Sequence, residues 1–149
     1  MFYALYRSQQ RTVPLAEEVT SIRNFIGLEE VRYGDRLRVN CRVEGDLSVP
    51  VSPLLFLSLV ENAFKHGASG DVDEPRIDIM IRADRSVIRC DIQNTKGRLP
   101  GELSDAPRAG IGLSNVRGQL QLLYPGAHEL AVIETKTTFR VDLMINPQP

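Results

Sequence analysis

Apolar positions recur along the chain in two periods, and the switches between them lay out the elements. Leu15, Val19, Ile22, Ile26 and Leu28 keep helical spacing to about Tyr33, which predicts an amphipathic helix over residues 15–33. Gly34-Asp35 punctuates it. Leu37, Val39, Cys41 and Val43 then alternate with Arg38, Asn40, Arg42 and Glu44, as in a half-buried strand closed by Gly45-Asp46. A second helix is predicted from Pro53 to Gly67, with Ser52 as cap, proline at the first helical position and glycine at the stop. Ile77, Ile79 and Ile81, then Ile88, Cys90 and Ile92, mark a hairpin turning at Ala83 to Ser86. Leu113, Val116, Leu120 and Leu123 mark a third helix ending at Tyr124-Pro125-Gly126. Leu130, Val132 and Glu134, then Phe139, Val141, Leu143 and Ile145, mark the last two strands.

Strands adjacent in sequence favour a largely antiparallel sheet over a doubly wound parallel one. The expected fold class is α+β, a sandwich of two layers with helices on one face of the sheet. Residues 95–109 hold Gly97, Pro100, Gly101 and Pro107 without any period, so they read as a mobile loop long enough to be a lid. Residues 1–14 read as a leader, the end of a linker helix.

At 149 residues the chain fits a single domain, 1–149, able to bury a core without staples. A net charge of −1, from 18 basic and 19 acidic residues with no Lys/Arg run, argues against a nucleic-acid or membrane surface. The longest apolar run, Leu54 to Val60, is broken by Ser58 and far too short to span a bilayer. The N-terminus lacks a signal peptide's apolar core, so a soluble cytoplasmic domain is expected. Cys41 and Cys90 lack a CxxC partner and read as core thiols.

The chemistry concentrates on the second predicted helix. Ser58, Glu61, Asn62 and Lys65 fall at i, i+3, i+4 and i+7, a polar stripe opposite Leu54, Leu57, Val60 and Phe64. A carboxylate can accept or orient a proton, an amide oxygen is a hard ligand suited to magnesium, and an ammonium suits phosphate. The stripe suits a metal-nucleotide; the plainer alternative is a solvated Glu61–Lys65 ion pair. Gly110-x-Gly112, between the loop and a helix start, suits a phosphate clamp, although two glycines there also make an ordinary turn. Asn94 shares the strand parity of Ile88, Cys90 and Ile92, so it should face inward at the strand's end, as a base-recognising amide or a turn former.

With these pieces in order, the sequence resembles the ATP-binding catalytic domain of LytS/YehU-type sensor histidine kinases, in the GHKL superfamily with gyrase and MutL. The resemblance runs from LAEEVTSIRNFIGLEEVRYGDRL through VPVSPLLFLSLVENAFKHG, similar to that family's N box, to GIGLSNVRGQLQLLYPGAHELAVIE. It implies a Bergerat-type sandwich with ATP and Mg2+ as cofactors. It further implies Asn62 as the Mg2+ ligand, Glu61 acting on or orienting the nucleophile, and Lys65 with His66 near the phosphates. Gly110, Gly112 and Leu113 match the second glycine box, and residues 95–109 the ATP lid. Where the first glycine box normally brings an Asp to the adenine amino group, Asn94 stands, followed by Thr95-Lys96-Gly97. The amide can still accept from adenine and donate to a ring nitrogen, but without charge assistance, so weaker ATP binding is expected. Thr137-Thr138-Phe139 replaces the late Gly-Thr element.

No PHFLFN-like phosphoacceptor helix is present, and the chain is expected to start just after one. His66 and His128, the only histidines, are poorly placed to attack a γ-phosphate in line. The resemblance therefore implies a domain that binds Mg-ATP and phosphorylates a histidine on an upstream dimerisation domain, with a response regulator as indirect partner. The chain alone should be monomeric and should not autophosphorylate. Two alternatives stay open: a degenerate GHKL domain serving as an interaction module, and a GHKL ATPase or serine kinase.

Overall fold

The computed structural model describes residues 12–67, 74–96 and 106–147, with backbone alone at 66–67 and 106–112. Three helices, α1 (Leu15–Tyr33), α2 (Leu55–Gly67) and α3 (Ala106–Leu123), accompany five long strands: β2 (Arg38–Gly45), β4 (Arg76–Ala83), β5 (Ile88–Thr95), β6 (His128–Glu134) and β7 (Thr138–Ile145). Two short strands, β1 (Val13–Pro14) and β3 (Pro50–Val51), pair with each other. The five long strands lie in the order β2-β4-β5-β7-β6. Only β2 and β4 are parallel, because the chain between them crosses over through α2; the other neighbours are antiparallel. The expected α+β two-layer architecture, mostly antiparallel with helices on one face, is the one observed.

Strict alternation produces that layering. Ile77, Ile79, Ile81, Ile88, Cys90, Ile92, Val141, Leu143 and Ile145 point to the helix layer and are buried there. Leu15, Ile22, Phe56, Leu59, Val60, Phe64, Val116 and Leu120 come down on them from the helices. The opposite sheet face carries Arg38, Asn40, Arg42, Asp78, Arg89, Asp91, Arg140 and Asp142, and no helix covers it among the described residues. Cys41 and Cys90 are free thiols, and burial pushes the Cys90 thiol far above its usual range, consistent with core roles.

Three boundaries differ from the sequence-based expectation. Val13 and Pro14, placed in the leader, form β1 against β3, and the next two amides, Leu15 and Ala16 N–H, donate to the Val49 and Leu47 carbonyls. Helix α2 begins at Leu55, two residues after Pro53, so Ser52 is not its cap and Leu54 stands outside it, exposed. Helix α3 begins at Ala106, so residues 106–109 of the expected lid and Gly110-Ile111-Gly112 have helical backbone instead of loop. The proline in its first turn, Pro107, is itself a helix-start signal. The lid positions 97–105 and the loop positions 68–73 lie outside the described residues.

Candidate functional site

Helix α2 is held at its N-terminus by another helix. A leucine precedes it, and a leucine side chain cannot accept the free N–H groups of a first turn. Glu18, on the buried face of α1 and 2% exposed, supplies the acceptor. Its Oε2 accepts from Leu54 N–H at 2.9 Å, and its Oε1 from Phe56 N–H at 3.0 Å and Leu57 N–H at 3.2 Å. Burial raises the Glu18 carboxyl above its usual range, while these three bonds pull the other way. Just upstream, Ser52 N–H donates to the Tyr124 hydroxyl at 2.9 Å, which ties this segment to the end of α3. Within α2, the Ser58 hydroxyl donates to the Leu54 carbonyl at 2.8 Å.

The polar stripe divides once the helix is packed. Asn62 is buried at 7% exposure, with Leu59, Val60, Ala63 and Phe64 as its apolar neighbours on the helix, while Glu61 and Lys65 are exposed. The helix therefore presents one sheltered amide between a carboxylate and an ammonium that reach solvent. His66 and Gly67 continue the helical backbone to its end. Phe64 meets Phe25 of α1 edge-on, ring centroids 5.1 Å apart, so α1 braces α2 near this end as well.

Asn94 takes the inward orientation that its parity predicts and is 1% exposed, opposite Ile77 on β4 and Phe139 on β7. Its Nδ2 donates to the Thr95 carbonyl at 2.7 Å. One of the two N–H donors of the Asn94 amide is thus engaged by the main chain. Beside it Lys96 N–H donates to the Thr137 carbonyl at 2.9 Å, and the Lys96 ammonium pairs with Glu134. Thr138, in the stretch that replaces the late Gly-Thr element, lies across from Thr95.

At the level of elements, α2 packs against β5 and α3, which sets the Asn62 helix against both the Asn94 strand and the helix of Gly110 and Gly112. Leu113 is a buried core residue on α3. Two shallow cavities, of about 370 and 340 Å3, lie elsewhere, on the open sheet face around Asp78 and Gln93. Asn94 alone of the expected site residues borders either. No cluster of three or more His, Cys, Asp and Glu placed to hold a metal ion occurs among the described residues.

Sequence reasoning missed Glu18 and Tyr124. The signal for Glu18 was present: it falls in the apolar stripe of α1 with Leu15, Val19, Ile22 and Ile26, where a carboxylate requires a buried partner. Glu29 and Arg32, three residues apart near the C-terminal end of α1, pair at 3.8 Å.

No family model matches the chain. The sensor histidine kinase/phosphatase LytS of Staphylococcus aureus strain MRSA252 is 32% identical over 148 residues, 91% of this chain and 25% of that protein. The chain thus spans about a quarter of the length of the curated relatives it matches. Among solved structures, the nucleotide-free catalytic domain of the histidine kinase ThkA superposes with a TM-score of 0.65 at 15% identity, covering 93% of this chain and 97% of that one. The same kinase in complex with the response regulator protein TrrA gives a TM-score of 0.62 at 17% identity, covering 93% and 42%.

Proposed function

Taking as premise that this chain belongs to the LytS-type sensor histidine kinases and has the fold of a histidine kinase catalytic domain, we propose that it binds Mg-ATP and donates the γ-phosphoryl group within a longer sensor kinase. Asn62 carries the reading. A primary amide sheltered at 7% exposure, flanked by an exposed carboxylate and an exposed ammonium on one rigid helix, has the chemistry of a hard-cation ligand beside a polyphosphate. The Asn62 amide oxygen would hold Mg2+, which would neutralise charge on the phosphates.

The other residues then have defined tasks. The Lys65 ammonium, with His66 beside it, meets phosphate oxygens. Glu61, the exposed carboxylate, orients the incoming imidazole or accepts its proton. Asn94 Oδ1, with Nδ2 engaged by Thr95, accepts one hydrogen bond from the adenine amino group against Ile77 and Phe139. The imidazole belongs to a histidine on an upstream dimerisation domain; its nitrogen bonds to the γ-phosphorus as the bond to the β-phosphate oxygen breaks and ADP leaves. A response regulator is the downstream acceptor, and the ThkA–TrrA complex supports that class of partner. No described helix is long and apolar enough to cross a membrane, which fits a domain working on the cytoplasmic side.

Replacing a residue that only hydrogen-bonds to a metal ligand costs roughly 10–100-fold in metal affinity. Asn62→Ala, which removes the ligand itself, should therefore cost at least about tenfold in magnesium-dependent ATP affinity while the nucleotide-free melting temperature changes little. Equal affinity would remove Asn62 from the site.

One observation favours a second reading. Helical backbone through Gly110-Ile111-Gly112 leaves no loop-to-helix junction at those glycines. Were that geometry kept at millimolar ATP with no nucleotide bound, the sandwich would be an interaction module.

A further inference from the structure

We infer that Glu18 is a positioning residue for the nucleotide site, a charged joint through which α1 sets the placement of α2 and hence of Asn62 and Lys65. The inference rests on the Mg-ATP reading above and names a regulation of that same site.

A helix needing only a cap would take a serine, threonine or aspartate at its own N-terminus, with no buried charge. Here the residue before α2 is Leu54, exposed and held at φ 71°, a left-handed conformation that a leucine rarely adopts. The three N–H groups of Leu54, Phe56 and Leu57 all turn instead to one carboxylate from a different helix. Both carboxylate oxygens are engaged, so small rotations of α2 about its axis or slides along it break a charge-assisted bond. The joint therefore fixes both pitch and rotation.

Asn62 follows Leu55 by seven residues, about 10 Å along the same helix axis, and no proline or glycine interrupts α2 between them. What Glu18 holds at one end is consequently transmitted to the other. Phe25 on α1, against Phe64, adds a contact near the far end. Helix α1 is the first long element among the described residues, and its first amides are tied to the β2–β3 connection. A displacement of α1 must then either carry α2 with it or give up the Glu18 bonds.

Coupling of this kind is reciprocal: if the Glu18 bonds favour the nucleotide-binding placement of α2, Mg-ATP must in turn tighten those bonds. The test is amide hydrogen exchange of the chain with and without Mg-ATP, joined to calorimetric affinities for two variants. In the unaltered chain, the amides of Leu54, Phe56 and Leu57 should exchange more slowly when Mg-ATP is bound. Glu18→Gln, which keeps the shape but turns an amide NH2 toward a backbone donor, should weaken Mg-ATP roughly fivefold to tenfold and abolish that slowing. Tyr124→Phe, which removes the hydroxyl that accepts from Ser52, should lower the melting temperature without changing affinity.

Unchanged affinity in Glu18→Gln, an equal loss in Tyr124→Phe, or amides at 54, 56 and 57 indifferent to Mg-ATP would each overturn the inference. Should Glu18→Gln fail to fold, the exchange result on the unaltered chain decides it. A chain that binds no Mg-ATP at all would bring down the nucleotide reading and this inference together, whereas normal binding with indifferent amides sinks the inference alone.

Discussion

Leu54 and Asn94 illustrate how single residues in this domain answer to neighbours far away in sequence. Leu54 pays for its left-handed backbone because Glu18 holds its N–H, yet its side chain is exposed and contributes little burial. Leu54→Gly keeps the N–H and relieves the Cβ conflict, so it should stabilise the domain by about 0.5–1 kcal/mol, seen as a higher midpoint in urea. Asn94 was legible from strand parity alone, because period-2 alternation assigns a face regardless of fold detail. Its engagement with the Thr95 carbonyl was not, because an amide's partner depends on local backbone geometry. Asn94→Asp restores a charged acceptor, and ATP should tighten relative to GTP by about tenfold; unchanged base preference would mean that adenine lies elsewhere. Glu18 marks the limit of local reading: its place in an apolar stripe signals a partner but cannot say that the partner is the first turn of another helix.

Elements were legible where they are long and periodic. Helix α1 and the five long strands follow from spacing, whereas β1 and β3 have two residues each, too few for a period. The start of α2 was misplaced because Ser52-Pro53 is a valid local start signal, overridden by a cap from α1. The start of α3 was misplaced because two glycines cost a helix only about 1 kcal/mol each, which the core contacts of Leu113, Val116 and Leu120 offset. The parallel β2–β4 pair has its own weak point. Gly45 ends β2 at φ 103°, and a Cβ there would collide with the Ala83 carbonyl. Gly45→Ala should therefore cost at least about 2 kcal/mol by denaturant unfolding.

On the open face of the sheet, Asp91 on β5 stands opposite Asp142 on β7. Burial first, and the facing Asp142 carboxyl second, raise the Asp91 carboxyl above its usual range, although Arg140 opposes this. A raised folded-state value means that the contribution is complete below the unfolded value and is lost as pH rises through the folded one. Asp91→Asn removes this loss, so the variant's gain in melting temperature over the unaltered chain should be larger at pH 7.5 than at pH 4. The reverse order would mean that Arg140 dominates the pair.

At the scale of the whole molecule, one polar sheet face, with no helix over it among the described residues, and one apolar, helix-covered face divide the domain. The expected nucleotide residues all fall on the covered side, on α2, the end of β5 and α3. The fold was readable because each strand alternates cleanly and each helix keeps one apolar stripe. The site was readable in part, because its residue types are chemically out of place in apolar elements, while their spacing in three dimensions depends on packing that no local pattern encodes. The proposed activity depends on ATP binding through a metal held at Asn62. Calorimetric titration with ATP, with and without Mg2+ and with GTP as the comparison, tests it most directly. Magnesium-dependent binding that prefers ATP is the predicted result; a folded chain that takes up no nucleotide at millimolar ATP, or binds GTP equally, contradicts it.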